Sequence, residues 1–83
     1  MADQAETTIA LVAPTTGTGA GIFTATVTTA DTVTLGNFGE VLNGLIVKIA
    51  DNSNVTFTKA TNVLTITQAL LAADKVLIYA QGT

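Results

Sequence analysis

Val55-Thr56-Phe57-Thr58, Lys59-Ala60-Thr61-Asn62, Val63-Leu64-Thr65-Ile66-Thr67: an apolar residue alternates with threonine, the pattern breaks, and it starts again. Period-two alternation is the signature of a strand with one buried face, and two such runs around a short break read as a β-hairpin. Upstream, Phe23-Thr24-Ala25-Thr26-Val27 repeats the pattern, with Phe23, Ala25 and Val27 on one face and Thr24, Thr26 and Thr28 on the other. Thr29-Ala30-Asp31 reads as a turn, Thr32-Val33-Thr34-Leu35 as a short strand, and Gly36-Asn37-Phe38-Gly39 as another turn. Val41 to Ala50 follows as a longer strand, with Leu45, Val47 and Ile49 on one face and Ile46, Lys48 and Ala50 on the other. Gly44 marks a bulge or bend within it. Asp51-Asn52-Ser53-Asn54 is a dense turn cluster.

Beyond the hairpin, Gln68 to Asp74 carries Ala69, Leu70, Leu71, Ala72 and Ala73, good helix formers behind a capping Thr67, enough for one short helical turn. Lys75 to Ala80 is the last strand. Its apolar residues fall on both faces, as in a strand that is central or covered by a neighbour. Short strands punctuated by turns predict an all-β fold, a compact antiparallel β-sandwich or small barrel of about six short strands. Its expected core is Phe23, Val27, Leu45, Val47, Phe57, Leu64, Ile66 and Ile78.

Residues 1–20 lack sustained periodicity and run into the glycine-rich stretch Gly17-Thr18-Gly19-Ala20-Gly21. They read as a flexible, extended N-terminal arm, with residues 21–83 forming the β-sandwich domain. The middle of the arm is apolar, which suits a segment that lies along a sheet edge or groove of another chain. Ile9, Leu11, Val12 and Pro14, together with Tyr79 of the last strand, are therefore the candidate interface residues.

A single domain of 83 residues supplies a net stability of about 3–5 kcal/mol unless something reinforces it. The chain has no cysteine and no histidine, so neither a disulfide nor an ordinary zinc site provides that reinforcement. Charged residues are 11% of the chain against roughly 25% in an average domain. Apolar residues reach 48%, and the net charge is only −3. Such a surface fits a subunit that is partly covered in its working state, the alternative being a monomer whose solvent face is made of threonine.

Arginine is absent and Lys48, Lys59 and Lys75 are scattered, which gives no footprint for nucleic acid. The acidic start Met1-Ala2-Asp3-Gln4-Ala5-Glu6 is unlike a signal peptide, and no apolar run approaches the roughly 20 residues of a membrane helix. The expectation is a soluble protein assembled in a cytoplasm.

Catalysis needs a nucleophile, a base near working pH or a metal, and without Cys or His the set is reduced to carboxylates, lysines, Tyr79 and hydroxyls. The expectation is no enzyme, no cofactor and no metal. Gly17-x-Gly19-x-Gly21 lacks the strand, helix and Lys-Ser/Thr pair of a phosphate loop. Asp51, Asn52 and Asn54 do not have calcium-loop spacing, and self-bonded turn chemistry accounts for them. Phe23, Phe38, Phe57 and Tyr79 fit core positions better than a sugar platform, and the threonine rows fit a solvated face better than a ligand array.

Phe23-Thr24-Ala25-Thr26-Val27, Asn54-Val55-Thr56-Phe57-Thr58, Val63-Leu64-Thr65-Ile66-Thr67 and the stretch from Leu70 to Tyr79 together resemble the small β-rich virion proteins of tailed bacteriophages, in the style of head-decoration or cement proteins. The resemblance covers about three quarters of the chain and lies in pattern rather than in a diagnostic motif. It implies a virion-surface protein that binds between the units of a major capsid protein and braces the shell. It also implies a homo-oligomer, with a trimer as one form, and an arm used for strand addition. A self-polymerising fibre subunit is the alternative, and a free-standing ligand-binding module is a third class.

Overall fold

A computed structural model of the chain describes residues 2–12, 17–70 and 72–83. In chain order the strands are β1 (Asp3–Gln4), β2 (Thr7–Val12), β3 (Gly19–Val27), β4 (Thr32–Thr34), β5 (Val41–Lys48), β6 (Phe57–Ala60), β7 (Val63–Ile66) and β8 (Asp74–Gly82). They form two four-stranded sheets, β1-β4-β7-β6 (sheet A) and β2-β3-β8-β5 (sheet B). Apart from the parallel β1–β4 pair, every pairing is antiparallel. The fold is all-β, two sheets packed face to face.

The β6–β7 hairpin forms with a tighter turn than its sequence implies. Ala60 pairs with Val63, so only Thr61 and Asn62 make the turn. Thr61 adopts φ 56°, unusual for a β-branched residue. The turn also anchors its surroundings, since the Thr61 carbonyl accepts from the Val41 amide at 2.7 Å and the Asn62 carbonyl from the Leu35 amide at 2.8 Å.

Sheet B is organised around β3 and β8, which pair without interruption from Gly19↔Gly82 to Val27↔Asp74. Phe23, Ala25 and Val27 of β3 and Val76, Ile78 and Ala80 of β8 point inward and are buried. Val33, Leu64 and Ile66 meet them from sheet A, and Leu35, Phe38 and Val55 from the connections. Phe38 stands edge-on to Phe23, with ring centroids 6.0 Å apart at 79°.

Of the expected core, Phe23, Val27, Leu64, Ile66 and Ile78 are buried. Leu45, Val47 and Phe57 require correction. In β5 the register slips between Val41 and Asn43, so Leu42 is an extra residue. One inserted residue reverses the phase of everything after it: Val41 and then Ile46 face the core, and Leu45 and Val47 turn outward. Phe57 opens the edge strand β6 and is half-buried against the core's flank. Nor do Gln68 to Asp74 form the expected helix: among the described residues there is none, and Leu71 lies outside them. The Leu70 amide donates to Thr29 Oγ1 at 2.7 Å, and the Thr29 hydroxyl donates back to the Leu70 carbonyl at 3.3 Å. This exchange holds the segment against the β3–β4 turn.

The expected arm of residues 1–20 also takes a different form. Its described residues join the domain's own sheets: β1 lies beside β4, β2 beside β3, and Gly19 and Gly21 belong to β3 itself. A buried carboxylate supplies the anchor. Asp31 accepts from the Thr28 amide and hydroxyl, both at 2.9 Å, from Gln4 Nε2 at 2.8 Å and from the Ala2 amide at 3.4 Å. The Thr28 bonds lead in holding its carboxyl below the ordinary carboxylate value, with Gln4 and Ala2 adding to them against the cost of burial.

Candidate interaction surface

Residues paired across neighbouring strands share a face, so the register defines what sheet B presents outward. Ala10 pairs with Ile22, Ile22 with Tyr79, and Tyr79 with Leu45. An apolar row therefore crosses all four strands. On one side lies the row Thr7, Thr24, Leu77 and Val47; on the other lies Val12, Ala20, Gln81 and Asn43. Tyr79 is 41% exposed, Leu45 45% and Val12 72%. Across these rows there is no charge. Lys75, at the end of β8 opposite Thr26, is the nearest on the same face.

Between the outer strands the face dips into an apolar groove of about 420 Å³, running from Leu11 and Val12 across Ala20 to Leu45 and Tyr79. The small residues Ala10 and Ala20 line it together with the exposed side chains Val12, Leu45 and Tyr79.

Charge is gathered elsewhere. Lys48 Nζ lies 3.8 Å from Asp74 and 4.0 Å from Asp51, at one end of the sandwich. The hydroxyl and amide of Ser53 donate to Asp51 at 2.7 and 3.2 Å. With Lys48 they hold that carboxyl below its ordinary value, which gives a self-bonded turn. No group of three potential metal-ligating side chains occurs among the described residues. No helix long and apolar enough to cross a membrane occurs among the described residues.

Of the five candidate interface residues, Val12 and Tyr79 fall on this outer face. Ile9 is 58% exposed at the irregularity in β2, where the register shifts between Thr8 and Ala10. Leu11 lines the groove and also packs against the core. Pro14 lies outside the described residues. Sequence reasoning missed Ile22, Leu45, Leu77 and Val47. The signal for Leu45, Val47 and Leu77 was the double-sided apolar pattern of β5 and β8, which a half-buried strand does not need; Ile22 breaks the apolar-in, threonine-out alternation of β3. Phe23 and Phe38 are buried and Phe57 is half-buried, so Tyr79 stands without an aromatic neighbour to make a stacking cleft among the described residues.

Fold and face together describe a two-sheet β protein with one polar and one apolar outer surface. No protein-family model, curated protein or solved structure matches the chain.

Proposed function

We propose that the chain is a non-catalytic structural subunit that works by packing against protein surfaces, in the manner of a capsid-decorating virion protein seated on the outside of a major capsid protein shell. The observation that carries this reading is the uncharged apolar row Ala10–Ile22–Tyr79–Leu45 on the outside of sheet B. Contiguous exposed apolar surface on a small domain marks a place where another protein sits. The virion setting draws on the resemblance of the strand patterns to phage decoration proteins.

The test is to purify virus particles by density gradient from a culture that makes the chain. The chain should co-band with the shell protein at a fixed ratio and remain accessible to antibody on intact particles. Its absence from the particles, or its enclosure inside them, would overturn the reading.

A second reading, a fibre or filament subunit, is favoured by β2. It is the edge of sheet B and carries Thr7-Thr8-Ile9-Ala10-Leu11-Val12, without charge or proline to block pairing with a further strand. An edge that pairs head to tail gives open chains rather than closed assemblies. Fibres in negative stain of the purified chain would select it.

A further inference from the structure

We infer that the outer face of sheet B is the self-association surface of this protein, and that the unit it forms is a two-fold dimer with two such faces stacked. The inference rests on the packing role proposed above and narrows it: the protein surface that this face meets is a second copy, and the dimer is the unit that would decorate a shell.

Size comes first. Four strands at about 4.8 Å spacing and about seven residues at about 3.3 Å rise give a face of roughly 19 by 23 Å. Two of these brought together remove on the order of 900 Å² before side-chain relief is counted, below the ~1,200 Å² of stable specific pairs and in the range of weak, transient ones. The face is therefore large enough for a reversible dimer, provided nearly all of it is used. A partner covering only the groove or only the β2 edge would leave most of the apolar row wet.

Chemistry points the same way. A surface that meets its own copy must not bring like charges together, and the three inner rows contain none. Their polar members, Thr7 and Thr24 on one flanking row and Asn43 and Gln81 on the other, bond equally well to water or to a copy. The groove sets the small residues Ala10 and Ala20 beside the exposed side chains Leu45 and Tyr79, so this face carries both large and small apolar groups.

Symmetry follows from there being one such sheet face among the described residues. A single self-complementary surface makes an isologous pair, whereas a trimer needs two different patches on each chain. Stacked sheets pack about 10 Å apart, which would give four layers in the order A, B, B, A.

Sedimentation equilibrium of the full chain across a wide concentration range tests this, with Leu45→Lys and Tyr79→Lys on the face, Thr58→Lys on the outside of sheet A, and Ile9→Lys in β2. Circular dichroism melting checks that each variant folds, and Gln81→Lys on the outer row of the same face replaces any face variant that does not. The expected result is a concentration-dependent dimer that Thr58→Lys and Ile9→Lys leave intact. Leu45→Lys and Tyr79→Lys should weaken it at least about 100-fold, because each buries two unpaired charges across the axis. A chain that stays monomeric, forms trimers or open chains, or dimerises with sensitivity to Ile9→Lys but not to the face variants would overturn the inference. A monomer that still co-bands with particles would leave the virion reading standing. A face dimer absent from particles would do the reverse.

Discussion

The outer faces of sheets A and B have the same pleat and opposite chemistry. On sheet A, Asp3 pairs with Thr32, Thr32 with Thr65, and Thr65 with Thr58. Threonine is β-prone and polar, so this face meets water without a partner. It also ties its own hydroxyls: Thr32 and Thr34 donate to Asp3 Oδ1 at 3.0 and 3.1 Å, and Thr67 donates to Thr56 at 3.1 Å. On sheet B the corresponding row is Ala10, Ile22, Tyr79 and Leu45. Local strand propensity is met equally by both. The difference lies in what each face leaves exposed, and it teaches that strand patterning specifies the fold while the departure from one-sided burial picks out the face proposed above as an interaction surface.

The largest effects belong to the layer that both sheets share. Phe23→Ala, at the centre of the inner face of sheet B, should cost about 3–5 kcal/mol, most of what a domain of this size has. Phe57→Ala, on the half-buried rim of sheet A, should cost about half as much. Urea titration of the two variants checks the order, and equal losses would mean that the rim is as tightly packed as the centre.

Next comes the contrast between the inner and outer sides of sheet B. A Cβ on Gly82 would press into the Glu40 carbonyl and the Phe38 ring. Gly82→Ala should therefore destabilise the fold by about 1–3 kcal/mol through overpacking. An unchanged melting temperature would show that the inner layer has slack.

A smaller effect lies at the edge of sheet A, where Asp31 holds β1. Its folded-state carboxyl is depressed, chiefly by the Thr28 hydrogen bonds, so its stabilisation is present above the ordinary carboxylate value of about 3.9 and is lost as pH falls below that toward the folded value. Melting temperature should drop with acidification through this window, and Asp31→Asn should start lower and fall less steeply. Parallel profiles for the two proteins would remove Asp31 from the acid response.

The hairpin, the turns and most of the core were legible because they depend on near neighbours in the chain. The phase of β5 was not: Gly44 was the visible signal for a bulge, whereas the extra residue is Leu42, and that choice decided whether Leu45 or Ile46 entered the core. The strand at the start of the chain was hidden for another reason. β2 is held to β3 by its backbone, with Leu11 its one half-buried side chain, so no apolar period marks it. Gly19 and Gly21 read as a hinge, yet in β3 they face the core opposite Gly82 and Ala80, and a Cβ on Gly21 would lie 2.7 Å from the Phe23 ring. That constraint comes from packing, which local reading does not reach. Of the candidate site, Val12 and Tyr79 were legible, but the row that joins Tyr79 to Leu45 and Ile22 exists only once register is known.

Tyr79 offers the most direct test of the covered face, because the chain has one tyrosine and no tryptophan and its emission therefore reports on the middle of the apolar row. Acrylamide quenching of that emission should be efficient in dilute solution and should fall as the concentration is raised through the dimer range, while Leu45→Lys should remain fully quenchable throughout. Quenching of the unaltered chain that stays as efficient as that of Leu45→Lys at every concentration would contradict the account, since the outer face of sheet B would then be open to solvent throughout.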